Sequence, residues 1–135
     1  MAFEYQTTIK LYDTDAAGLL FFGNHFRIVH DVYQAFMENS GFNFARIIKQ
    51  GEMLVPIVHA EADYLEPLAV GDELTIVMSA TNISEHSFTL NYDLRRADST
   101  SVGTVQTVHV TVDRTTGKKM PLPISLREAL QKIAG

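Results

Sequence analysis

Asp13 and Asp15 are carboxylates two positions apart, followed by Gly18, the aromatic pair Phe21 and Phe22, and then Gly23 and Asn24, where a helical pattern begins. An acid beside a small-residue turn that feeds a helix N-terminus is a workable hydrolytic site. The first turn of a helix offers backbone N–H groups without intrahelical partners, and these can hold a developing oxyanion. The acid can attack an electrophilic carbonyl or activate water. Asp15 is the candidate for that role, set against the plain reading of a turn aspartate. Asp13 fits a structural role better, bonding loop N–H groups and fixing the turn. His25 and His30 are candidate general acids, His25 lying in the first helical turn beside the proposed oxyanion site. No His-x-x-x-His or His-Glu-x-x-His spacing exists, so no metal site is expected, and hydrolysis by an acid and backbone donors calls for no other cofactor.

The elements that must position these groups follow from hydrophobic periodicity. Phe3 to Tyr12 alternates as a strand with one face buried. With Asn24 as N-cap, Phe26, Val29, Tyr33, Phe36 and Met37 recur at helical spacing, and Ile28 and Val32 widen the stripe. This helix is predicted to close near Ser40, with Gly41 as a left-handed stop. A shorter helical pattern runs to Gly51. Extended segments follow over Ile57–Leu65, Glu73–Ile83, Ser87–Arg96 and Val102–Val112, with turn signals at Gly71-Asp72 and Ser84–His86. Ser125 to Glu128 is a capping-box pattern that starts a C-terminal helix reaching about Ile133. One long helix with about five mostly antiparallel strands predicts a single α+β domain over residues 1–135 with the sheet wrapped around the helix. Sheet edges and helix surfaces left uncovered favour a homo-oligomer.

Composition narrows the chemistry further. The chain has 135 residues, no cysteine and a formal net charge of −5. Disulfides, thiolate catalysis and cysteine-based metal sites are therefore excluded. The acidic balance gives no reason to expect nucleic acid or an anionic membrane as partner. No apolar run approaches the length of a membrane span, and a cytoplasmic protein is the expectation. Arg95-Arg96 and Arg114 with Lys118-Lys119 are the local cationic clusters, and both read best as solvated faces.

The stretch from Tyr12 to Phe26, YDTDAAGLLFFGNHF, resembles the opening motif of hotdog-fold acyl-CoA thioesterases of the 4-hydroxybenzoyl-CoA type. The segment from Pro56 to Leu74, PIVHAEADYLEPLAVGDEL, is similar to that family's second strand and following turn. The resemblance implies a five-stranded antiparallel sheet around the long helix, with protomers joined through their sheets as dimers or tetramers. It implies an active site at the protomer interface, with Asp15 as the catalytic carboxylate. It also implies a backbone N–H in the stretch Phe22, Gly23, Asn24 that polarises the thioester carbonyl. It places the strand carrying His59 beside the acyl pocket, which makes His59 a candidate ligand contact together with His25. Within the family, PIVHAEADY, SEHSF from Ser84 and KKMPLP from Lys118 look similar to 1,4-dihydroxy-2-naphthoyl-CoA thioesterases of menaquinone and phylloquinone biosynthesis. The Tol–Pal-associated short-chain enzymes share the first motif but typically carry Tyr-His where this chain has Phe21-Phe22. The reading is hydrolysis of an acyl-CoA, with an aromatic acyl group favoured over a short aliphatic one. A hotdog-fold hydratase or dehydratase and a non-catalytic acyl-CoA binder are the competitors, since fold alone does not decide function.

Overall fold

The computed structural model describes residues 2–135. Strand β1 (Phe3–Thr8) alternates half-buried Phe3, Tyr5 and Thr7 with exposed Glu4, Gln6 and Thr8. It is shorter than its sequence pattern predicts. The amide of Lys10 bonds the Asp13 carboxylate at 3.0 Å, and Leu11–Asp13 close into a 3-10 turn. A local side-chain acceptor here outcompetes the strand ladder.

Helix α1 (Asn24–Asn39) buries Ile28, Val29, Val32, Tyr33, Phe36 and Met37, the stripe set by its 3.6-residue period. Gly23 occupies the N-cap position. Asn24 is the first helical residue rather than the cap, and its side-chain amide donates to the Asp13 carbonyl at 2.7 Å. The helix stops as expected, with Gly41 at φ +93°. Helix α2 (Phe44–Gln50) is capped by the Asn43 side chain. A two-residue ribbon of β2 (Met53–Leu54) and β7 (Val112–Asp113) follows from no pattern in the sequence.

The main sheet adds β3 (Ile57–Tyr64), β4 (Glu73–Thr81), β5 (Ser87–Arg96) and β6 (Ser101–Val110) to β1. Its order is β1-β4-β5-β6-β3, antiparallel throughout. The inner face carries Leu74, Ile76 and Met78 of β4, Phe88, Leu90 and Leu94 of β5, and Val102 and Val105 of β6, all buried in one cluster with α1. This is the expected five-stranded sheet wrapped around one long helix. Helix α3 (Ile124–Lys132) closes one end with Leu126 and Leu130. Pro123, not Ser125, sits at its N-cap, and no side-chain cap bond forms. Proline already fixes the entry angle, so the predicted capping box is unused. Beyond α3, the amide of Gly135 bonds the Ala80 carbonyl at 3.0 Å and extends the β4 edge past β1. No helix among the described residues is long and apolar enough to cross a membrane.

Candidate active site

The segment between β1 and α1 is folded back on itself. Thr14 bridges Leu20, and Leu19 bridges Ala69 ahead of β4. Asp15 donates its amide to the Leu19 carbonyl at 2.8 Å, and Gly18 closes the tip at φ +76°, where a side chain would be strained. One Asp15 oxygen, Oδ1, accepts the amides of Ala17 at 2.8 Å and Leu19 at 3.3 Å. Oδ2 has no hydrogen-bond partner among the described residues. The carboxylate is thus oriented by its own loop, and it is exposed on the surface of the protomer.

Asp13 anchors this loop. It is 2% exposed and accepts Arg27 Nη2 at 2.5 Å and the Lys10 amide at 3.0 Å. Its carbonyl accepts the Phe21 amide at 3.0 Å and Asn24 Nδ2 at 2.7 Å. Arg27 also reaches Asp31 at 3.1 Å and lies over the Tyr12 ring. Asp13 therefore ties the loop to the first turn of α1, the structural role read for it from sequence. Arg27 was not foreseen. Its signal was the four-residue spacing to Asp31, which marks a helical ion pair but not its reach back to Asp13.

At the start of α1 the amides of Phe22, Gly23 and His25 have no hydrogen-bond acceptor among the described residues. The amide of Asn24 is taken by the Phe21 carbonyl at 2.9 Å, which removes it from the expected oxyanion donors. A Cβ on Gly23 would come within 3.1 Å of the Phe21 ring, so glycine here lets the aromatic lie against the helix entry. His25 is buried, and its Nδ1 donates to the Phe22 carbonyl at 3.0 Å. That bond fixes the proton on Nδ1 and leaves Nε2 as the acceptor of the neutral ring. Burial lowers the His25 pKa, and the bond to Phe22 opposes this in part. The ring meets Tyr64 edge-on with centroids 4.6 Å apart. Phe22, His25, Tyr64, Leu65 and Leu68 line a cavity of about 280 Å³. Tyr64 was missed in the sequence, although it shares its strand face with Ala60 and Ala62.

His59 does not join this cluster. It pairs across from Val108 in the β3–β6 ladder, on the sheet face turned away from α1, and its Nε2 contacts Glu61 at 3.0 Å. The side chains of β3 that face α1 belong to Ala60, Ala62 and Tyr64, because successive residues of a strand alternate sides, and to Ile57, which a bulge before His59 sets opposite His109. His30 is exposed on α1 and lines a second cavity of about 380 Å³, between α1 and the β3–β6 edge, with Phe26, Val29, Tyr33, Ala60 and His109.

An acid on a glycine turn and a helix entry with free amides, joined through Asp13, are the parts that hydrolysis of a carbonyl compound needs: a nucleophile or base, and donors for an oxyanion. Residues 9–130 match the family model described as the Thioesterase-like superfamily. The 1,4-dihydroxy-2-naphthoyl-CoA hydrolase of Rippkaea orientalis is 34% identical over 95% of this chain and 94% of its own. That of Synechococcus elongatus is 35% identical over 96% and 95%. The crystal structure of a 1,4-dihydroxy-2-naphthoyl-CoA thioesterase from Synechocystis superposes with a TM-score of 0.92 at 29% identity, covering 98% of both chains.

Proposed function

Because the chain belongs to the Thioesterase-like superfamily, we propose that it hydrolyses an aromatic acyl-CoA of the 1,4-dihydroxy-2-naphthoyl-CoA kind to the free acid and CoA. The observation that carries this reading is the full-length match to relatives of that name. It is supported by the tie from the base of the Asp15 loop, through Asp13, to Asn24 and Arg27 in the first turn of α1.

In this reading the thioester carbonyl oxygen points at the free amides of Phe22, Gly23 and His25, where helix polarity favours developing negative charge. Asp15 acts through Oδ2. As a nucleophile it adds to the carbonyl, expels CoA thiolate and leaves an anhydride that water cleaves. As a general base it takes a proton from water, whose oxygen adds to the same carbon before the thiolate leaves. Both routes consume one water and release one acid and one CoA. The acyl ring is assigned to the cavity between α1 and the β3–β6 edge. His25, neutral through burial, supports the site from beneath with its Nε2 acceptor.

The working unit is proposed to be a homo-oligomer with a second protomer covering the Asp15 loop. Strand β3 supports this: it is a sheet edge with seven of its eight residues exposed, among them Ile57, Val58 and Tyr64. Such an edge invites another strand. A cytoplasmic setting is kept from the sequence reading. The test is release of free thiol from 1,4-dihydroxy-2-naphthoyl-CoA and from butyryl-CoA. A higher kcat/KM for the aromatic thioester supports the proposal. A higher value for butyryl-CoA contradicts its substrate class, and hydration of an enoyl-CoA without thiol release contradicts its reaction.

A further inference from the structure

The cavity between α1 and the β3–β6 edge is apolar at Phe26, Val29, Ile57 and Ala60, but its deeper wall is formed by Tyr33, Tyr92, Thr107 and His109. Tyr33 is 4% exposed and His109 0%. The Tyr33 hydroxyl and the His109 Nδ1 have no hydrogen-bond partner among the described residues. Unpaired polar atoms in a core are destabilising and rare, so two in one wall call for a physical reason.

The His109 ring is held firmly. Its Nε2 meets the Thr107 hydroxyl at 2.8 Å. Its face stacks on Phe88 with centroids 4.9 Å apart and planes within 2°, and the Tyr33 ring lies 4.6 Å away. Burial, helped by His30, lowers the His109 pKa to about 4, so the imidazole is neutral at pH 7. With Nε2 engaged, Nδ1 is a donor in one tautomer and an acceptor in the other. A ligand hydroxyl can satisfy either, and can pair with the Tyr33 hydroxyl as well. Arg27 and Asp31 also line the cavity, but the guanidinium is already paired with Asp13 and Asp31, so a carboxylate at this wall would shed its hydration without a free cationic partner.

Tyr33 lies nine residues beyond Asn24, about 13 Å along the helix axis. Helical side chains lean back towards the N-terminus, which shortens that span to one an arene of one or two rings can bridge.

We propose that Tyr33 and His109 form the polar end of the acyl pocket and select an aromatic acyl group that carries a hydroxyl remote from the thioester. This rests on the acyl-CoA reading above. A hydroxyl ortho to the thioester can bond internally to its carbonyl, whereas a remote one takes its partner from the protein. The pocket thereby reads substitution at the far edge of the ring.

The test compares 1,4-dihydroxy-2-naphthoyl-CoA with 1-hydroxy-2-naphthoyl-CoA, which differ only in the remote hydroxyl. The wild-type protein is expected to favour the first in kcat/KM by about ten-fold or more, and Tyr33→Phe to reduce that preference about ten-fold. The thermal midpoint of the free variant should hold or rise, because an unpaired buried hydroxyl has been removed. Equal loss on both substrates, an unaltered preference, or a clear drop in thermal midpoint would each overturn the proposal. Calorimetric Kd values for the two free acids, measured without oxygen, keep the two readings distinguishable. If neither thioester is cleaved, the hydrolase reading falls. A ten-fold preference for the dihydroxy acid that Tyr33→Phe abolishes would still support the polar end, and equal affinities would overturn it.

Discussion

Arg27→Met removes the guanidinium that partners the buried carboxylate of Asp13 while keeping much of the side chain's length. In the wild type that carboxylate is 2% exposed and accepts two hydrogen bonds, from Arg27 Nη2 at 2.5 Å and the Lys10 amide at 3.0 Å. Breaking a fully buried pair costs about 3–5 kcal/mol, because one charge is left alone in the interior. Arg27 itself is 43% exposed, so water screens its side of the pair and the cost falls to about 1–3 kcal/mol, the range for a hydrogen bond to a charged group. For a chain of this length that corresponds to a thermal midpoint lower by about 3–10 °C. The same change removes one of the two side-chain links from α1 to Asp13 and leaves only Asn24 Nδ2 to hold the base of the Asp15 loop. Misplacement of a catalytic group by a fraction of an ångström is expected to lower kcat about ten-fold or more, with KM less affected. Thermal unfolding by circular dichroism and thiol release under saturating substrate measure the two effects. Arg27→Lys, which keeps the charge but loses the planar fork, should recover part of each. An Arg27→Met protein with wild-type melting and wild-type kcat would refute the claim that Asp13 and Arg27 hold the loop.

Two further outcomes follow from the same geometry. A Cβ on Gly103 would lie 3.2 Å from the Asp63 carbonyl and 3.7 Å from the His25 ring. Gly103→Ala is therefore expected to push β3 from β6, cost about 1–3 kcal/mol in denaturant unfolding and disturb the cavity beside Tyr64; a variant as stable and active as the parent would contradict the tight approach. The His109 pKa is lowered by burial to about 4, whereas the unfolded chain's histidine titrates near about 6.5. The unfolded state then binds the extra proton first, so this contribution to stability is complete above pH 6.5 and is lost as pH falls towards 4, by on the order of 2–3 kcal/mol. Imidazole resonances of His109 that titrate near 6.5 would contradict it.

Much of the architecture could be read from the chain because periodicity and punctuation agree. The Phe26–Met37 stripe, Gly41 and the Gly71-Asp72 turn each point to the same fold that packing then enforces. What was misread lies where a local bond or the opposite face of a strand decides. Asn24 reads as a cap by type, but the Asp13 carbonyl claims its side chain. Ser125 and Glu128 match a capping box that Pro123 makes unnecessary. His59 falls in a strand beside the proposed pocket, yet strand parity turns it outward with Val108. On β6, hydrophobicity alone would turn Val108 and Val110 inward, whereas Thr107 and His109 are the buried residues. A polar residue at an inward position breaks the binary pattern, and such breaks concentrate at sites that bind something. Tyr64 and Arg27 act through partners far away in sequence, His25 and Asp13, which no local pattern records.

The central claim is most directly tested by the steady-state kinetics of Asp15→Asn with 1,4-dihydroxy-2-naphthoyl-CoA, on a variant shown by its thermal midpoint to be folded. The amide keeps the size of the side chain but neither attacks the thioester nor takes a proton from water. The account predicts a fall in kcat of roughly 10²–10⁴ with KM nearly unchanged. Turnover close to wild type by the folded variant would contradict it and leave residue 15 as a turn aspartate.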